Sequence, residues 1–300
     1  MSPQLSRRAF GALGVAVGLD VRTSAADARA FRVLDIRLEG ASDLSRRAKV
    51  LVPSWLAPGE RAPVLVLLHG LGETANDELG VNAWVDRYGL LTAHARLSQP
   101  PLAPIGRRGD LSTKRARALS EQLQAKPFDG RTIFVCPYLP NIWRLASPYQ
   151  GLDRLARWTV EVLLPEVRSR TPAHPSPEQT AIDGCSLGGF AAFEVFLRQP
   201  ASFAACGGVQ AAISEASAAR WADRFAAASQ AVGPRALHIE TSRGDAFFRA
   251  NVALSRALER RGVVHELAVL PGPHDQPWLR EVGTLEMLLW HDRRRGPSPL

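Results

Sequence analysis

Short runs of consecutive apolar residues alternate along this chain with longer segments whose apolar positions recur every three or four residues. The first kind predicts strands buried on both faces, the second amphipathic helices packed over them. Residues 31–39 and 45–52 instead alternate apolar with polar, which predicts an antiparallel pair ending at Pro53. Buried strands are then expected at Val64–Leu68, 132–136, 180–183, 203–209, 236–241 and 263–270. Helices are expected near 82–97, 111–124, 152–163, 187–199, 214–230, 247–261 and 277–290. Regular alternation of this kind predicts a mostly parallel central sheet with helices on both faces and an antiparallel N-terminal strand pair. It also predicts a single domain over 31–300, with no internal repeat. The stretch at about 98–130 exceeds what a crossover needs and is expected to be a surface excursion beside the functional loops.

Composition narrows the classes. Among 300 residues, 46% are hydrophobic and 22% charged, as in an ordinary globular chain able to bury a large core. The formal charge of +8 comes from 37 basic residues, of which only Lys49, Lys114 and Lys126 are lysine. These basic residues are scattered, with short runs such as Arg107-Arg108 and Arg293-Arg294-Arg295 and no segment interleaved with stacking aromatics, which argues against nucleic acid as a partner. Cys136, Cys185 and Cys206 are odd in number and lack metal-like spacing, so buried free thiols are expected. The first thirty residues read as an address. Ser6-Arg7-Arg8-Ala9-Phe10 resembles a twin-arginine export motif, 11–19 is a mildly apolar run, and Ser24-Ala25-Ala26 and Ala28-Arg29-Ala30 offer small-residue cleavage sites. That run is too short to span a bilayer, no other transmembrane candidate follows, and a periplasmic or secreted protein is expected, with the twin-arginine export machinery as a partner.

The chemistry centres on Asp183-Gly184-Cys185-Ser186-Leu187-Gly188-Gly189, a Gly-x-Ser-x-Gly placed between a strand and a helix. Such a turn lifts a serine hydroxyl above the end of a sheet, and its glycines let backbone pass where side chains would collide. Serine is a poor nucleophile without a base, and the base needs an orienting acid. In a parallel sheet these partners sit in loops after later strands. His274 alone among the candidates follows the last strand in a loop; His174 precedes the serine, His238 and His265 lie in or beside strands, and His291 ends the last helix. Asp245 directly follows the strand at 236–241 and is the expected acid, with capping of the next helix as its bland alternative. Asp275, Asp183 and Asp223 are weaker rivals: adjacent to the histidine, inside a strand and in mid-helix. Backbone N–H groups of Leu187 and of Leu71, in His69-Gly70-Leu71-Gly72, are the expected oxyanion donors, with His69 bracing that loop. Trp84, Tyr88, Trp143 and Tyr149 are candidates for an aromatic groove, although single aromatics more often pack in cores or loops.

Four motifs in this order, Leu68-His69-Gly70-Leu71-Gly72, Asp183 to Gly189, Gly244-Asp245, and Gly272-Pro273-His274-Asp275 with Trp278, resemble the α/β-hydrolase superfamily. The likeness is to its branch of bacterial esterases related to esterase D, feruloyl esterases and mycolyltransferases, and covers roughly 31–292. It implies an α/β-hydrolase fold and hydrolysis of carboxylic esters through an acyl-serine intermediate, with Ser186, Asp245 and His274 as triad and no metal or cofactor. Small-molecule, polysaccharide or lipid esters are the implied substrates. The segment 98–130 lies outside the shared core. An acyltransferase or a peptidase would use the same triad. A non-catalytic binding or scaffold protein is the reading from another class, against which stands that every triad position is filled.

Overall fold

Neighbouring residues of a strand face opposite sides of a sheet, so a strand apolar throughout must be covered twice. The computed structural model describes residues 19–20, 31–38 and 45–294 and meets that demand with a nine-stranded sheet. Its strands are β1 (Leu19–Asp20), β2 (Phe31–Arg37), β3 (Arg47–Pro53), β4 (Val64–Leu68), β5 (Ile133–Pro137), β6 (Thr180–Gly184), β7 (Ala205–Val209), β8 (Ala236–Gly244) and β9 (Glu266–Pro273). Their order is β1-β2-β3-β5-β4-β6-β7-β8-β9. The first three strands and the β3–β5 pair are antiparallel; everything from β5 to β9 is parallel. Along β4, Val64, Val66 and Leu68 enter one core layer and Leu65 and Leu67 the other. The first layer lies under helices Pro148–Trp158, Leu187–Arg198, Ala218–Val232 and Phe248–Glu259; the second lies under Leu90–Ser98, Thr113–Ala125 and Thr284–Arg293.

The export segment expected at 1–30 lies outside the described residues apart from β1, which pairs with β2. No helix among the described residues is long and apolar enough to cross a membrane. The helix expected at 82–97 is broken: Asp77–Asn82 and a π turn, Ala83–Arg87, precede a separate helix, Leu90–Ser98. Gly89 adopts φ 71° between them, a left-handed geometry that stops a helix while the apolar spacing runs on through Tyr88. The last strand starts at Glu266 rather than 263, because Gly262 at φ 66° and the Val263 amide, bonded to Leu258 O, complete the preceding turn.

The excursion at 98–130 is anchored. Leu111, Leu119 and Leu123 are buried in the second core layer, and Arg115 forks onto Glu286 through two 2.6 Å hydrogen bonds. Arg108 reaches Asp275 at 2.6 and 2.9 Å and Asp110 at 2.6 Å, tying the excursion to the loop after β9.

That loop packs on one aromatic side chain. Trp278 is fully buried, its indole N–H donates to Pro271 O at 2.7 Å, and Gly272 and Gly283 pack so tightly on its ring that a Cβ would lie 2.2 and 2.5 Å from it. Trp278→Ala is therefore expected to lower the unfolding free energy by about 3–5 kcal/mol, as large-to-small changes at filled sites do, measured as the shift in a urea denaturation curve.

Candidate active site

In an open α/β sheet a crevice forms where connections from a central strand depart to opposite sides. Here that strand is β4, flanked by β5 and β6. The loop after β4 and the turn after β6 are forced together. A Cβ on Gly188 would lie 2.1 Å from Leu68 O and 2.6 Å from His69 O, and one on Gly184 would lie 2.4 Å from the Gly188 backbone. All these neighbours are backbone atoms and cannot swing aside, so glycine is required at both positions.

Between them Ser186 takes φ 56° and ψ −118°, outside the comfortable range of an L-residue. The turn is held by its neighbours: Cys185 N donates to Leu68 O at 3.2 Å, Ser186 N to Val209 O at 2.9 Å, and Ala212 N to Ser186 O at 2.9 Å. Gln210, φ 50°, is the other non-glycine with positive φ among the described residues, and it follows the adjacent strand, β7. Strain of this kind persists where surrounding bonds over-determine the conformation, and it clusters at functional sites.

The three side chains singled out in the sequence meet. His274 Nδ1 lies 2.7 Å from Asp245 Oδ1, and His274 Nε2 lies 3.0 Å from Ser186 Oγ. An ionised carboxylate only accepts, so Nδ1 carries the proton and Nε2 presents a lone pair to the serine hydroxyl. Asp245 also accepts from Thr241 Oγ1 at 2.8 Å and from Phe247 N at 2.9 Å. The bond to Phe247 N is a local turn and not a cap: the next helix starts at Phe248 with Phe247 at its N-cap and no side-chain cap, so the capping alternative is not realised. The Phe247 ring packs edge-on against His274 with centroids 5.5 Å apart.

The rival acids point elsewhere. Asp275 accepts from Trp278 N at 2.9 Å and pairs with Arg108, which holds its carboxyl below the usual range. Asp183 is fully buried and accepts from His291 Nε2 at 2.9 Å and Gly184 N at 2.7 Å, and Asp223 pairs with Arg261. His238 is buried and stacks on Trp290.

Leu187, the first residue of its helix, has no carbonyl a turn behind it to accept its N–H. Leu71 opens a short 3-10 turn after β4 with its residue half exposed. His69 braces that turn: Leu139 N donates to its Nε2 at 2.9 Å, leaving the ring proton on Nδ1, which donates to Gly70 O at 2.9 Å. Cys136, Cys185 and Cys206 are free and buried, and burial pushes the Cys136 thiol up to about 12.

Several residues of this site carried no readable signal. Gln210 donates to Pro273 O at 3.0 Å and to Ser242 Oγ at 2.7 Å, fixing the residue before His274. Glu73, nearly inaccessible, accepts from the Tyr88 hydroxyl and from Gln276 Nε2 at 2.8 Å, while Gly70 N donates to Tyr88 Oη at 3.1 Å. One carboxylate thereby links the loop after β4 to the loop after β9. Of the candidate groove aromatics, Trp84 and Tyr88 are buried, whereas Trp143 and Tyr149 are exposed and line a cavity of about 560 Å³ together with Phe190, Trp221 and Phe247. A second cavity of about 640 Å³ is lined by Arg32, Pro53, Glu60 and Arg168 among others, and neither cavity has Ser186, Asp245 or His274 in its lining.

No protein-family model matches the chain, and no curated protein sequence does. Solved structures do. A feruloyl esterase module from Clostridium thermocellum aligns over 96% of this chain and 100% of its own, at 12% identity and a TM-score of 0.62. An S-formylglutathione hydrolase from Agrobacterium tumefaciens aligns over 92% of this chain and 99% of its own, at 15% identity and a TM-score of 0.59. The fold is that of the α/β-hydrolases. A fluorophosphonate-binding serine hydrolase from Staphylococcus aureus shares it, at 15% identity over 87% of this chain and 98% of its own with a TM-score of 0.58. Within this α/β-hydrolase frame the order Ser186, Asp245, His274 is the one expected of a triad.

Burial gives the site a pH signature. It lowers the His69 pKa from 6.5 to about 4, so the native ring stays neutral while the unfolded ring protonates. Between those values the unfolded chain binds more protons, so stability is complete above 6.5 and declines as pH falls towards 4. Acidification across that window is expected to remove roughly 3 kcal/mol through His69, and His69→Gln should lessen the dependence of urea midpoints on pH while the share of His291, which burial likewise lowers to about 4, remains.

Proposed function

We propose that this protein is a serine hydrolase that cleaves carboxylic esters through an acyl-serine intermediate. The observation that carries the reading is the unbroken chain Ser186 Oγ, His274, Asp245, at 3.0 and 2.7 Å, on a turn whose strain exposes the serine. In this reading His274 Nε2 takes the hydroxyl proton as Ser186 Oγ attacks the ester carbonyl, and Asp245 stabilises the imidazolium. The N–H groups of Leu187 and Leu71 receive the oxyanion of the tetrahedral intermediate. Its collapse breaks the bond to the alcohol, which leaves with the proton from His274 Nε2. Water, deprotonated by the same nitrogen, then releases the acid. The close approach of Gly70, where a Cβ would lie 3.7 Å from Cys185 O, supports the Leu71 assignment by seating its turn beside the nucleophile.

The names of the similar structures, ferulic acid esterase, S-formylglutathione hydrolase and fluorophosphonate-binding serine hydrolase, support ester cleavage as the reaction class. Export through the twin-arginine route to the periplasm or beyond belongs to the same proposal and rests on Arg7-Arg8 and the small-residue sites before Phe31.

The test is hydrolysis of p-nitrophenyl acetate and butyrate with fluorophosphonate labelling alongside. Ser186→Ala and His274→Ala are expected to lower kcat/KM by roughly 10³-fold or more and Asp245→Asn by roughly 10²–10⁴-fold, with Ser186→Ala also abolishing the label. A wild-type protein that neither turns over these esters nor takes the label would overturn the reading.

A further inference from the structure

The cavity beside the triad has a charge as well as a shape. Two of its lining residues, Phe190 and Ala212, donate their amides to Ser186 O, at 3.1 and 2.9 Å, and a third, Phe247, packs on His274. Its lining therefore adjoins the turn that carries Ser186 and the ring of His274, although neither residue is itself part of that lining. Trp143 packs on Phe190 with centroids 5.1 Å apart, and Phe190 on Trp221 at 5.8 Å, which makes a continuous aromatic wall. Such a wall accepts a flat or apolar ring.

Four charged side chains line the same space: Glu194, Arg198, Arg220 and Arg224. Glu194 is buried, and it is committed. Arg224 forks onto it through two 2.8 Å hydrogen bonds, and Arg198 pairs both with it and with Asp153. Burial raises the Glu194 pKa, but these two guanidinium groups outweigh it and keep the carboxyl ionised below its usual range. Arg220 is left over. It is exposed, lies one residue before Trp221 at the start of the helix Ala218–Val232, and has no hydrogen-bonding or acidic partner among the described residues. A guanidinium offers a planar fork of donors suited to a carboxylate or phosphate, and this one lines an aromatic slot next to the turn of Ser186.

We propose that the cavity selects esters carrying a negative charge, with Arg220 as the residue that binds the anionic group and the wall of Trp143, Phe190 and Trp221 seating the ring or chain between that group and the scissile ester. The inference rests on Ser186 being the nucleophile. The anion could belong to either half of the ester, so the test has two arms. In the first, p-nitrophenyl hydrogen glutarate is compared with neutral p-nitrophenyl pentanoate; in the second, 4-carboxyphenyl butyrate is compared with its 4-carbamoyl analogue. The wild type is expected to favour the anionic ester about five-fold in kcat/KM in at least one arm, the size an exposed charge contact supports. Arg220→Gln should bring that ratio to about one, Arg220→Glu should invert it, and added salt should erode it in the wild type only, because the interaction is screened.

A ratio that Arg220→Gln leaves unchanged in both arms, or no anion preference in the wild type, would overturn the proposal. Tryptophan quenching by 4-hydroxybenzoate, measured in wild type and Arg220→Gln, separates this inference from the hydrolase reading. Should no ester be turned over, the hydrolase reading falls, while weaker quenching in Arg220→Gln than in wild type still supports the anion site and equal quenching rejects it.

Discussion

The contact on which the rest depends is backbone against backbone. Gly184 and Gly188 bring the turn after β6 onto the carbonyls of Leu68 and His69, with no room for even a methyl group. That closeness lets Cys185 N reach Leu68 O while Ser186 N reaches Val209 O, so the turn is bonded to both neighbouring strands at once. Ser186 then has no alternative to its left-handed φ, and its hydroxyl is fixed relative to β4 and β7 rather than to its own flexible rotamers.

Everything else brings partners to that point. His274 is held from three directions: Gln210 on the carbonyl of Pro273, the Trp278 indole on the carbonyl of Pro271, and Arg108 on the Asp275 carboxylate one residue later. Because these anchors come from β7, from the core beneath the loop and from the excursion at 98–130, no single one sets the imidazole's position alone. Glu73 adds a buried tie between the loops after β4 and β9, so the two sides of the crevice share one carboxylate through Tyr88 and Gln276. Oriented groups of this kind lower the reorganisation needed as charge develops during reaction.

The arginine excess also acquires structure. Arg108, Arg115, Arg198 and Arg224 each engage carboxylates from distant parts of the chain, using the fork geometry that lysine lacks. Part of the charge scattered in sequence is therefore paired around the helices, while Arg220 at the cavity has no acidic partner among the described residues.

The sequence by itself determined the layers and the three side chains that meet above them. Consecutive apolar residues at Val64–Leu68 demand cover on both faces, and a Gly-x-Ser-x-Gly between strand and helix admits few backbone paths. Ser186, Asp245 and His274 were legible because parallel strands deliver their following loops to one edge, where Asp245 and His274 follow successive strands and Asp275, the rival acid, is adjacent to the histidine in sequence. Local rules failed where one residue breaks a periodic pattern: Gly89 splits a helix whose apolar spacing continues across it. Only the tertiary structure decided the supporting residues. Gln210, Glu73, Tyr88, Arg108 and Phe247 act through partners between 15 and 203 residues away, and no spacing encodes contacts made across a fold. The same holds for the aromatics. Trp84 and Trp143 are alike as letters, and one is buried while the other lines a cavity, because burial belongs to the packed layers and not to the side chain.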